Sequence, residues 1–124
     1  MKIQKSAEDY LETMLMLQQE LGYIRSIDVA DRMGVTKPSV SYAVKRLREN
    51  GFVTMDSDGP LHLTESGLEI AQRIFERHHL LIRVLTALGV SPETAREDAC
   101  KIEHDLSDET FAALQRHAEE HPVP

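Results

Sequence analysis

The sequence predicts a mainly α protein, an N-terminal winged helix-turn-helix followed by an all-helical half. Three observations carry that reading. Apolar residues recur at helical spacing in six segments. A tight Gly34-Val35 turn separates two of the shorter ones. The only strand-like runs, Phe52–Met55 and Leu61–Leu63, flank the turn-forming stretch Asp56-Ser57-Asp58-Gly59-Pro60.

The elements follow in order. Ser6, with acidic Asp9 three residues on, reads as an N-cap for a helix over 7–21 in which Leu11, Met14, Leu15 and Leu17 share a face, and Gly22 ends it. Ser26 reads as the cap of a short helix over 27–33, with Ile27, Val29, Ala30 and Met33 available for the core. Thr36 caps a third helix that holds Pro38 in its first turn, buries Val40, Ala43, Val44 and Leu47, and stops at Gly51. The hairpin comes next. Thr64 then caps a long helix over 65–88 ended by Gly89. Ser91-Pro92-Glu93 opens a helix to about Asp105, and Ser107-Asp108-Glu109 opens the last, to about Glu119. The expected division is 1–64 and 65–124.

Composition bounds the possibilities. A chain of 124 residues with 41% apolar and 28% charged residues is an ordinary globular domain, with disorder expected only near Pro122–Pro124. Its length excludes a large multi-domain enzyme. No apolar run suits a membrane span, and Met1-Lys2-Ile3-Gln4-Lys5 begins no hydrophobic leader. With the single Cys100, this points to a reducing cytoplasm. No phosphate-binding glycine loop or nucleophile elbow is present.

The net charge of −7 is unevenly spread. Residues 1–64 hold eight Lys and Arg against nine Asp and Glu, a balance of −1; residues 65–124 hold six against twelve, a balance of −6. Within Thr36–Asn50 the local balance is +3, from Lys37, Lys45, Arg46 and Arg48 against Glu49. A basic face on a helix-turn-helix spanning Ser26–Leu47 points to double-stranded DNA. Thr36, Lys37, Pro38, Ser39, Ser41 and Tyr42 lie where base edges and nearby phosphates are met. Lys45, Arg46 and Arg48 lie further along, toward the backbone. The hairpin is the wing, and its acidic tip, Asp56 and Asp58, suits packing better than phosphate contact.

In the acidic half, Cys100, Glu103 and His104 stand at i, i+3 and i+4, one face of a helix, and offer a thiolate, a carboxylate and an imidazole. Asp9 and Glu12 repeat the i, i+3 spacing in the first helix, and one of His78 and His79 can face inward. Each has an ordinary alternative. Asp9 at N3 can satisfy backbone amides, Glu12 can be solvated, and Cys100 can be a small buried apolar residue. His62, His117 and His121 are expected to be plain surface residues. Phe75, Leu81, Val84, Leu85, Leu88, Ile102, Leu106, Phe111 and Leu114 exceed what a small helical half buries alone, so part of this set is expected to form a homodimer interface.

Several separated stretches together resemble the diphtheria-toxin-repressor family of metal-dependent transcriptional regulators, and its short manganese-regulator branch in particular. They are Ser6-Ala-Glu-Asp-Tyr-Leu-Glu12, Thr36-Lys-Pro-Ser-Val-Ser41, Leu63-Thr-Glu-Ser-Gly67, Glu76-Arg-His78 and Glu103-His-Asp-Leu-Ser107, and they span nearly the whole chain. The resemblance implies a homodimeric repressor that binds palindromic operators when loaded with divalent metal, with no organic substrate. By motif match its ligands fall on Asp9, Glu12, His78, Cys100, Glu103 and His104, and the second half becomes a metal-binding and dimerisation domain. His78 is preferred to His79 because it directly follows the matching arginine. With the sequence ending near Pro124, the resemblance leads us to expect the short branch rather than the longer one with its third domain. Cys100 is the residue of the iron-responsive branch and Asp9 that of the manganese branch, so Mn²⁺ and Fe²⁺ rank close together, Mn²⁺ slightly ahead. Ile82 and Arg96 stand at two further ligand positions of the iron branch and cannot ligate, which leaves one ion or two per subunit open. The competing expectations are a metal-independent winged-helix regulator with a structural polar cluster, and a small metalloenzyme or metal buffer.

Overall fold

The computed structural model describes residues 5–121. The expectations at Met1–Gln4 and Pro122–Pro124 lie outside them. In chain order the elements are α1 (Lys5–Leu21), α2 (Ser26–Met33), α3 (Lys37–Glu49), β1 (Val53–Met55), β2 (Leu61–Leu63), α4 (Glu65–Ala87), α5 (Pro92–Ile102) and α6 (Asp108–Glu120). The described residues fall into two compact units that divide between Arg73 and Ile74, within α4. No described helix is long and apolar enough to cross a membrane.

In the first unit α1 packs on α2 and α3, and α3 on β1. Leu11 and Met14 of α1, Val29 of α2 and Val40 of α3 are fully buried, and Val44, Leu47, Val53 and Leu61 are nearly so. Apolar groups at i, i+3, i+4 and i+7 face one another here, and their removal from water is the main favourable term. The hairpin is antiparallel, with Val53 opposite Leu63, Thr54 opposite His62 and Met55 opposite Leu61. A bridge from Ile24 extends it: Leu61 N donates to Ile24 O at 2.8 Å. Gly34 takes φ +67 after α2, a left-handed turn that glycine makes without a side-chain clash.

Four of the expected caps are present. Thr36, Ser91 and Ser107 accept from the backbone N–H three residues on, and Thr64 accepts from Gly67 N at 3.2 Å. Two are corrected. Ser6 lies inside α1, which includes Lys5, so Asp9 stands beyond the first turn and is no N3 residue. Ser26 is itself helical, and Arg25 is the N-cap, with no side-chain bond. Its carbonyl accepts from Asp28 N and Val29 N. Ile27 is 49% exposed rather than in the core. In the second unit, Ile74, Leu80 and Leu81 of α4, Ala95 and Ala99 of α5 and Ala118 of α6 are buried.

Candidate metal centre and nucleic-acid interface

Helix α3 begins at Lys37 because the Thr36 hydroxyl accepts from Ser39 N at 3.3 Å, and Pro38 fits the first turn, where no amide is needed. Val40, Val44 and Leu47 point inward. Thr36, Lys37, Pro38, Ser39, Ser41, Tyr42, Lys45, Arg46 and Arg48 are all exposed. Burying one stripe of α3 therefore leaves its four cations toward solvent. Tyr42, 63% exposed, accepts from Arg46 Nη1 at 3.2 Å, and the guanidinium stands 5.9 Å from the ring centroid. In the hairpin, His62 Nε2 lies 2.8 Å from Asp56 Oδ2.

In the second unit α4 supplies His78, and the end of α5 supplies Cys100 and Glu103. His78 Nδ1 is 2.8 Å from Glu103 Oε2 and 4.0 Å from Cys100 Sγ. Ligand atoms of the three residues all lie within 4.8 Å of one another. Donors on a single ion at about 2.0–2.3 Å stand no more than about 4.6 Å apart, so the cluster is near the size a metal needs. Glu103 is 1% exposed, and its other oxygen, Oε1, lies 3.4 Å from His104 Nε2. Burying a carboxylate this deep is costly unless it is hydrogen-bonded, and His78 Nδ1 stands within hydrogen-bond distance of one of its oxygens.

The helical face expected for Cys100, Glu103 and His104 is corrected in one respect. α5 ends at Ile102, Glu103 is its C-cap and His104 lies in the following turn. Glu103 N still bonds Ala99 O at 3.0 Å, so Glu103 keeps the helical trajectory beyond Cys100. Cys100 is exposed, unlike a small buried apolar residue. On α1, Asp9 is half-buried and Glu12 is buried at 8% exposure, so Glu12 is no solvated surface carboxylate. His79 is exposed, edge-on to Phe75 at 4.3 Å, and lines an open cavity of about 370 Å³ with Phe75, Leu80, Arg83 and Phe111. Burial and then the neighbouring His78 hold its imidazole below the usual histidine range, while the Glu103 charge pulls it back up. His117 and His121 stack on each other, exposed, near the end of α6.

Sequence reasoning used Arg77 only as a landmark for His78. The structure shows it buried at 5% exposure, with its guanidinium on two main-chain carbonyls of the turn that carries His104. Its place in the Glu76-Arg-His78 stretch was the one available signal.

Residues 2–61 match the family model of the iron dependent repressor N-terminal DNA binding domain. Residues 64–122 match that of the iron dependent repressor metal binding and dimerisation domain. The chain is 40% identical over 114 residues to the transcriptional regulator MntR of Escherichia coli O6:H1, covering 92% of this chain and 74% of that protein. It is 38% identical over 102 residues to the HTH-type transcriptional regulator MntR of Geobacillus kaustophilus, covering 82% and 72%. Among solved structures, a manganese-dependent transcriptional repressor in complex with manganese superposes with a TM-score of 0.79 at 29% identity, covering 90% of this chain and 51% of that one. The manganese regulator SloR gives 0.79 at 27% identity, covering 91% and 53%, so this chain spans about half of each solved chain.

Proposed function

The chain belongs to the iron-dependent repressor family of metal-dependent transcriptional regulators, which are not enzymes, and we propose that it represses metal-homeostasis genes in the cytoplasm by binding operator DNA as an Mn²⁺- or Fe²⁺-loaded homodimer. The observation that carries the metal reading is the convergence of His78, Cys100 and Glu103 around a carboxylate that is 1% exposed. His104 beside it, and Asp9 and Glu12 by motif, complete the proposed ligand set. We set the DNA-binding half at 1–64 and the metal-binding and dimerisation half at 65–124, with Thr36, Lys37, Pro38, Ser39, Ser41, Tyr42, Lys45, Arg46 and Arg48 facing DNA.

A bound divalent cation supplies two positive charges to a cluster rich in negative ones. Asp9, Glu12 and Glu103 are hard oxygen donors suited to Mn²⁺ and Fe²⁺; His78 and His104 favour mid-row metals. Without positive charge, three carboxylates and a thiolate resist being gathered together. Their neutralisation favours the conformation in which two recognition helices meet successive major-groove faces. The coupling needed is about 1–3 kcal/mol.

Leu88 is 76% exposed, and Phe75, Val84, Leu85, Phe111 and Leu114 are half-buried, which supports a dimer that covers them. Two chains per palindromic operator are expected, and one chain per operator contradicts the dimer.

The Cys100 thiolate is the donor least suited to Mn²⁺, so it sets the metal preference. Anaerobic operator binding by wild type and Cys100→Glu, titrated with Mn²⁺, Fe²⁺ and Zn²⁺, tests this. Cys100→Glu is expected to gain in Mn²⁺ sensitivity and lose in Zn²⁺ affinity, each by about tenfold or more. Identical metal profiles for the two proteins exclude Cys100 from the ligand set.

A further inference from the structure

Arg77 is the most buried cation among the described residues, at 5% exposure. It stands on α4 immediately before His78. Its Nη1 donates to Glu103 O at 3.2 Å and to Leu106 O at 2.7 Å, and its Nη2 to Asp108 Oδ1 at 2.6 Å. Its guanidinium carbon lies 5.3 Å from the Phe111 ring centroid. All four partners belong to one stretch, from the C-cap of α5 through the turn to the start of α6. That stretch carries Glu103 and His104.

We infer that Arg77 is a positioning residue for the metal centre, one that fixes the 103–107 turn so that Glu103 and His104 present their side chains to the ion. The inference rests on the metal reading above. Three features support it. The α5 helix stops at Ile102, and two main-chain carbonyls beyond it, Glu103 O at the C-cap and Leu106 O at the far end of the turn, accept hydrogen bonds from Arg77, which satisfies carbonyls that no helix ladder pairs. The Glu103 carboxylate faces His78 and His104, so the guanidinium holds the backbone of Glu103 while its side chain stays directed at the imidazoles. Adjacency in α4 then ties one ligand to another: His78 and the anchor of Glu103 are consecutive residues of a rigid helix, which fixes the spacing between imidazole and carboxylate. Only the planar fork of arginine reaches two carbonyls and a carboxylate at once, and a lysine is a single point donor.

The test is Co²⁺ binding, read from visible absorption of the full-length protein well below its melting temperature. The variants are Arg77→Met and Arg77→Lys, with Ala118→Gly as a control that weakens α6 without touching the turn. Arg77→Met is expected to lose about 10- to 100-fold in Co²⁺ affinity, the range for removing a ligand's support. Arg77→Lys is expected to lose less, in the same direction, and serves alone where Arg77→Met fails to fold. Ala118→Gly is expected to bind like wild type despite its lower melting temperature. Wild-type affinity in both Arg77 variants overturns the inference, and so does an equal loss in Ala118→Gly, which marks the effect as general destabilisation. A wild-type protein with no Co²⁺ absorption overturns the metal reading itself and the inference with it.

Discussion

Glu103→Gln is expected to remove metal-dependent operator binding while leaving the metal-free fold nearly as stable as wild type. The two halves of that result have one cause. Glu103 is 1% exposed, with one oxygen 2.8 Å from His78 Nδ1 and the other 3.4 Å from His104 Nε2. An amide of the same shape still accepts from, or donates to, the His78 nitrogen, so the melting curve shifts by no more than about 1 kcal/mol. The amide cannot bring the negative charge that a divalent ion selects. Metal affinity is therefore expected to fall by more than the roughly 10- to 100-fold that follows loss of a ligand's support alone. At metal concentrations that saturate wild type, operator affinity falls by the whole coupling, about 5- to 150-fold. The paired measurements are a thermal melt without metal and an operator titration with it. Unchanged metal dependence in a folded variant excludes Glu103 as a ligand. Such a residue, dispensable for the fold and needed for the switch, is expected where a buried charge serves function.

Gly67→Ala is the substitution expected to cost the fold most. Glycine inside a helix normally costs about 1 kcal/mol relative to alanine, so on propensity alone this change stabilises α4. The surroundings reverse the sign. A Cβ at position 67 runs into the Phe52 carbonyl oxygen and comes within 3.0 Å of the carbonyl carbon, both main-chain atoms. Phe52 O already accepts from Thr64 N at 3.0 Å, and Thr64 Oγ1 donates to Gly51 O at 2.7 Å while accepting from Gly67 N. The start of the wing and the start of α4 are thus bonded together across the gap that Gly67 leaves open. Overpacking against backbone costs about 3 kcal/mol or more, which outweighs the gain in propensity and lowers the melting temperature by roughly 10 °C. Glu69→Ala, an exposed change nearby on the same helix, is expected to stay within about 0.5 kcal/mol. A Gly67→Ala protein as stable as wild type contradicts this packing.

Most of the fold was legible because its determinants are local. The hydroxyls of Thr36, Thr64, Ser91 and Ser107 each reach an amide three residues on, and each falls where an apolar periodicity begins. The same logic misled at Ser6 and Ser26, where something outside the local pattern decides the outcome. Helix α1 already includes Lys5, so Ser6 is a helical residue rather than the cap that precedes the first turn. At Ser26 the cause is tertiary. The Ile24–Leu61 bridge leaves the chain extended up to Arg25, φ −124 and ψ 145, and the helix starts directly after it.

The site divides in the same way. Cys100 and Glu103 are three apart, and their common direction follows from helix geometry. The approach of His78 to them spans 22 and 25 residues and was reachable only through the motif. Arg77 is harder still. Its acceptors include main-chain carbonyls 26 and 29 residues away, and a carbonyl has no residue identity to read. That same clamp belongs to the turn that ends α5 at Ile102 rather than at Asp105.

The most direct test of the account is wild-type binding to a palindromic operator, selected from a random DNA library in the presence of Mn²⁺ and followed by fluorescence anisotropy under anaerobic conditions. Two chains per operator are expected to bind with Mn²⁺ or Fe²⁺ present, and a chelator is expected to release them, with affinity lower by about 5- to 150-fold. Binding of equal strength with and without chelator contradicts the account: α3 would then still read DNA, and the cluster around Glu103 would be structural.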